Sequence, residues 1–192
     1  MQKITSQKSA TGRLGVINRI SYVPAGFSLS VAELIAGNIL EEGTPLAAPV
    51  AGLRKVCKQA IILAGSTTTA IKVDALKNHF KVGDFIGVKT AGKAYAITAI
   101  ATASGVSTLT VGTAIDAVTE GAFIYQMAAE AASNTSALLN SPKVILGSGL
   151  TVNSDVAWQT GSALVRADVY TEVVGPAYLA LLPQIVEIEY IP

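Results

Sequence analysis

Apolar and polar positions alternate from residue 27 onward. Phe27, Leu29 and Val31 are apolar and Ser28 and Ser30 polar, the period of a strand with one buried face. The period returns at 164–170, where Val165, Ala167 and Val169 oppose Arg166, Asp168 and Tyr170. It is cleanest at 185–190, which sets Val186, Ile188 and Tyr190 on one face and Glu187 and Glu189 on the other. Shorter β-prone runs lie at 69–73, 85–88, 94–100, 107–111 and 121–126, with glycines such as Gly83 and Gly105 at the corners. Residues 37–46 read as a short strand, a polar turn and a second extended segment. Residues 53–62 carry Arg54, Lys55 and Lys58 on an apolar run, which predicts a strand with one wet face. Helical turns are predicted at 75–80 and 113–119, and a short helix over 175–182 stopped by Pro183. The Ala-rich stretch 128–139 fits either helix or linker.

These signals predict a mainly β fold. Residues 1–20 mix Lys, Gln, Ser, Thr and Gly without a period and read as an N-terminal arm. Residues 59–127 hold five short strands at a spacing of about 10–15 residues, the pattern of a small β-barrel. The segments 21–58 and 128–192 are each too short to bury much core. Paired with one another, they make a discontinuous, β-sandwich-like outer domain with the barrel inserted between its halves. A proteolytic fragment covering 59–127 is then expected to stay folded.

Composition narrows the function. Apolar residues make up 51% and charged residues 14% of the chain, against roughly a quarter charged in an average soluble domain. Such a chain belongs in a membrane or hides surface against partners. A spanning helix needs about 20 consecutive apolar residues. The best stretch, 173–186, is interrupted by Gly175, Pro176 and Pro183. Residues 1–8 lack the apolar run of a secretion signal, so residence in the cytosol is expected. The net charge is +1 but uneven. Lys3, Lys8, Arg13 and Arg19 precede the first acid, Glu33, while Asp168, Glu172, Glu187 and Glu189 follow the last base, Arg166. The two ends either attract each other between neighbouring subunits or are solvated separately.

Candidate chemistry is sparse. The single histidine, His79, lies between Lys77 and Lys81, and no Gly-x-Ser-x-Gly elbow is present. One cysteine, Cys57, rules out an intrachain disulfide and reads as a small buried hydrophobe. One Cys and one His do not make a zinc set. Glu41-Glu42 and Glu187/Glu189 are the closest carboxylate pairs and read as a solvated turn and a solvated face. Gly147-Ser148-Gly149 lacks the Lys of a phosphate loop and reads as a turn. Arg54, Lys55 and Lys58 cluster without the aromatics that nucleic-acid binding uses. The expectation is no catalytic residue, no cofactor, no metal, no nucleic-acid partner and no membrane partner: not an enzyme. Trp158, Tyr170 and Tyr178 are either interface anchors, with Glu187 and Glu189 beside them, or core of the outer domain.

Several segments together resemble a known family. They are Val23-Pro24-Ala25-Gly26-Phe27-Ser28-Leu29-Ser30, the turn region 37–46, Lys81-Val82-Gly83-Asp84, and 109–115 followed by Glu120-Gly121-Ala122. Together they resemble the capsid decoration and head-fibre-type proteins of tailed bacteriophages. The resemblance implies a structural virion protein, made in the host bacterial cytoplasm, that binds the outside of the capsid. Its partners would be the major capsid protein and copies of itself, as a homo-oligomeric trimer. The basic arm, with Lys3, Lys8, Arg13 and Arg19, is the expected docking element. The chain lacks a long fibrous repeat, which speaks against an extended fibre. The other readings are a tail-tube or tail-tip component, a carbohydrate- or surface-binding β module, and a polysaccharide-degrading β enzyme.

Overall fold

The computed structural model describes residues 16–23, 26–153, 155–170, 173–182 and 185–188. The first half of the chain forms β1 (Val16–Tyr22), β2 (Phe27–Ser30), β3 (Ile39–Leu40), β4 (Pro45–Ala47) and β5 (Leu53–Arg54). Next come β6 (Gln59–Ile61), β7 (Ala70–Asp74), β8 (Phe85–Gly87), β9 (Tyr95–Ala103), β10 (Val106–Val111) and β11 (Phe123–Met127). The last part adds β12 (Pro142–Leu146), β13 (Leu150–Thr151), β14 (Trp158–Gly161), β15 (Ala163–Tyr170), the helix α1 (Pro176–Leu179) and β16 (Ile185–Ile188).

The chain is mainly β, and its strands sort by sequence. β6 to β11 pair only among themselves, as a six-stranded sheet of order β6-β11-β8-β9-β10-β7. Every other pairing joins a segment before residue 59 to one after 127, or stays within one of those parts: β1 with β15, β4 with β12, β3 with β13 and β2 with β14, all antiparallel. β16 adds to β15 in parallel, beyond the stretch of β15 held by β12.

The predicted barrel is an open sheet. Its outer strands β6 and β7 meet through a single hydrogen bond, Leu63 N–H to Lys72 C=O at 2.8 Å, rather than a ladder. The chain reverses tightly between β9 and β10, where Ser104 and Gly105 both take positive φ, 50° and 78°. That two-residue turn matches the twist of the strands it joins.

Three apolar cores follow this arrangement. One lies wholly within the middle segment and includes Ile62, Ile71, Val73, Phe80, Ile86 and Leu109. A second lies wholly outside it, around Leu29, Leu40, Leu46, Val144 and Leu146. The third joins the two parts: Phe123, Tyr125 and Met127 of β11 pack with Ile145, Leu164, Val169, Val174 and Tyr178. β11 is buried on both faces because alternate side chains serve different cores. Ile124 points into the first, while its odd-numbered neighbours point into the third.

Several expectations change. Residues 75–80 form turns, not a helical turn. Asp74 Oδ1 accepts the Leu76 N–H at 2.8 Å, and the Asn78 amide donates to the Asp74 and Ala75 carbonyls, so side chains take the bonds a helix would need. Residues 113–119 and 128–139 are also non-helical; Ile115 N–H goes to Thr68, and Ala131 exchanges both backbone bonds with Ala94. Residues 53–62 split into β5 and β6, and Lys58 is buried rather than on a wet face. The arm ends sooner than residue 20, since Val16 already opens β1. In β15 a bulge opposite Ser21 and Tyr22 shifts the alternation, so that Leu164, Ala167 and Val169 are buried and Val165 is exposed.

Candidate interaction surfaces

The residues with catalytic potential are spent on structure. His79 is 4% exposed. Its Nδ1 accepts the Ile35 N–H at 3.2 Å and its Nε2 lies 3.3 Å from the Ile39 carbonyl, which fixes the neutral tautomer with the proton on Nε2. Burial, followed by the nearby charges of Lys58 and Lys81, lowers its pKa to about 4, against the partial opposing effect of the Ile39 bond. His79 belongs to a seam between residues 32–41 and 75–81. Asn38 donates to the Asn78 and Ala75 carbonyls at 2.7 and 2.8 Å, Lys81 Nζ donates to Ala32 at 3.1 Å, and Lys77 pairs with Glu41 at 2.7 Å. Cys57 is buried, and burial pushes its thiol up to about 12. No group of three or more His, Cys, Asp or Glu side chains gathers as metal ligands among the described residues.

The cationic cluster is dispersed by folding. Arg54 donates to the Ala47 carbonyl at 2.7 Å. Lys58 turns inward to Asp84, whose other oxygen accepts from Gln126 at 2.9 Å. Glu41 and Glu42 point to different cations, Lys77 and Arg19. Gly147-Ser148-Gly149 is a tight crossing, where a Cβ on Gly149 would lie 3.2 Å from the Leu40 carbonyl oxygen.

Comparison with family models, with characterised proteins and with solved structures finds no match to this chain.

Of the expected docking residues, Lys3, Lys8 and Arg13 lie outside the described residues. Arg19 does not belong to an arm: it sits in β1 and is ion-paired with Glu42 on the chain's own body. Tyr178 is no surface anchor. It is fully buried, edge-on to Tyr125 with ring centroids 5.1 Å apart, and its hydroxyl donates to the Lys58 carbonyl at 3.1 Å. Tyr170 and Glu187 contribute backbone to β15 and β16, while Glu189 lies outside the described residues.

Trp158 takes the other course. It is 51% exposed on β14, which pairs on one side only, with β2. A second exposed region lies on the five-stranded sheet. β1 is its outer strand, and Ile20 and Val165 are 52% and 38% exposed at the bulges of the β1–β15 pair. Neither Ile20 nor Val165 is singled out by sequence, because strand period alone places Val165 with the core. Ser28, Ser30 and Thr160, which surround Trp158, were equally hidden. The strand that brings Thr160 beside Ser28 gives no alternating signal of its own.

Proposed function

We propose that this chain is a structural virion protein that binds the outer surface of a tailed-phage capsid and stabilises or decorates it. The observation that supports this best is the open outer edge of β1 with Ile20 and Val165 exposed beside it. A strand edge offers unpaired backbone donors and acceptors to another chain, and exposed aliphatic side chains favour covering it. The basic residues Lys3, Lys8 and Arg13 immediately precede this edge in sequence. They would add electrostatic attraction to an acidic lattice surface. The partners are the major capsid protein and further copies of this chain. Attachment at many weak sites at once gives firm binding without any single strong contact.

The test is co-sedimentation with capsids assembled from the major capsid protein encoded beside this chain. Removal of residues 1–15, which keeps β1, and the double substitution Ile20→Glu/Val165→Glu should each abolish capsid binding while the circular dichroism spectrum is unchanged. Undiminished binding by both variants would overturn the reading. A hexameric ring mass with no capsid binding would instead favour the tail-tube reading.

A further inference from the structure

The three-stranded sheet β14-β2-β5 carries a second surface, apart from the β1 edge. Leu29 is buried in the core, so its neighbours Ser28 and Ser30 point to the opposite, outward face. Antiparallel pairing sets Trp158 opposite Ser30 and Thr160 opposite Ser28. Directly opposed residues share a face with Cβ atoms about 5 Å apart. An indole and three hydroxyls therefore form one small outward patch. The hydroxyls of Ser28, Ser30 and Thr160 have no hydrogen-bond partner among the described residues, whereas Ser66, Ser136 and Thr44 use theirs on nearby carbonyls.

The patch continues into a groove of about 600 Å³ lined by Ser28, Thr160, Ser162, Gly26, Gly52 and Gly161. That size falls in the range of small-ligand sites. Side chains are kept out at its glycines: a Cβ on Gly161 would lie 3.1 Å from the Phe27 ring, and one on Gly26 would lie 3.1 Å from the Gly161 carbonyl oxygen. No charged side chain lines the groove, and the nearby Arg54 is turned to the Ala47 carbonyl.

We propose that this face binds a neutral glycan. The indole of Trp158 offers a flat apolar plate to the C–H face of a pyranose ring. The three hydroxyls, each both donor and acceptor, meet the sugar's own hydroxyls. The alternatives fit less well. An anionic ligand finds no cation here. A purely apolar ligand would strip water from three hydroxyls and return no hydrogen bond, at about 1–3 kcal/mol for each group left unpaired. A peptide added along the β14 edge would be read by backbone groups and would leave the hydroxyl face unused.

Trp158 is the chain's one tryptophan, so its emission reports on this face alone. The full chain should be titrated with maltohexaose, cellohexaose, xylohexaose and the hexamer of N-acetylglucosamine, with polygalacturonate as the acidic comparison. At least one neutral oligosaccharide should shift the emission to shorter wavelength and saturate it. The double substitution Ser28→Ala/Thr160→Ala keeps the reporter and should weaken that binding about tenfold, the equivalent of one lost hydrogen bond. Trp158→Ala should abolish the binding heat in calorimetry. The proposal fails if none of the neutral oligosaccharides moves the emission, if polygalacturonate alone does, or if the double variant binds as tightly as the parent. It also fails if the emission responds only to protein concentration, which would make the face a contact between copies of the chain.

Discussion

Lys58 Nζ lies 2.8 Å from Asp84 Oδ2, and the lysine is 3% exposed. The pair ties the turn before β8 to the segment entering β6. Asp84 is fully engaged: its oxygens also accept the Lys81 N–H and the Gln126 amide, both at 2.9 Å. The Lys58 carbonyl in turn accepts the Tyr178 hydroxyl. One residue thus links the six-stranded sheet to the helix that closes the joining core.

Breaking this pair from one side should be severe. Asp84→Ala strands a buried ammonium, and its unfolding free energy in urea should fall by about 3–5 kcal/mol. Replacing both partners with apolar residues, Lys58→Met/Asp84→Leu, should recover part of that loss. The recovery is incomplete, because the Gln126 amide and Lys81 N–H still lose their acceptor. A loss in Asp84→Ala below about 1 kcal/mol would mean that the pair is not buried as described.

Tyr178 separates core from interface. Tyr178→Phe removes a buried hydrogen bond and should cost about 1 kcal/mol in urea unfolding. Tyr178→Ala also opens a cavity against Tyr125 and should cost about 3–5 kcal/mol. Neither cost should depend on protein concentration, since the ring is covered by its own chain.

His79 gives the fold an acid limit. Its pKa in the folded chain, about 4, lies below the ordinary value of 6.5 that the unfolded chain has. The unfolded state therefore binds more protons between these values, and stability rises with pH across that window. The contribution is fully present above about pH 6.5 and is lost progressively as pH falls toward 4, to an extent of about 3 kcal/mol. His79→Gln should flatten the stability profile between those limits, measured by urea unfolding at each pH. An unchanged slope would show that the titrating group lies elsewhere.

Cys57 should be silent until the chain unfolds. A buried thiol with its pKa pushed up to about 12 offers almost no thiolate near neutrality. Ellman's reagent should react at the rate of unfolding in native buffer and immediately in strong denaturant. Fast reaction in native buffer would contradict its burial.

The joining core also bears on proteolysis. A fragment of residues 59–127 would expose Phe123, Tyr125 and Met127, which pack against Val174 and Tyr178 in the whole chain. Isolated, it should be less stable than the intact protein and should bind a hydrophobic dye that the whole chain does not.

Much of the β content was legible from period alone. Phe27, Leu29 and Val31 alternate because one face of β2 is buried, and the runs at 69–73 and 107–111 behave likewise. Local signals also placed the Gly83-Asp84 turn and the short helix after Gly175. They did not reveal β12 or β14. Val144, Ile145 and Leu146 are a continuous apolar run because their strand serves cores on both faces, and β14 has no apolar alternation to detect. Sequence by itself determined a β-rich chain with few titratable groups. Only the tertiary structure decided which charged and aromatic side chains lie inside. Lys58 and Tyr178 are buried because Asp84 and the Lys58 carbonyl meet their polar ends, while Trp158 is left out because β14 ends its sheet. Such outcomes depend on partners 26 to 120 residues away along the chain, a separation that no local pattern encodes.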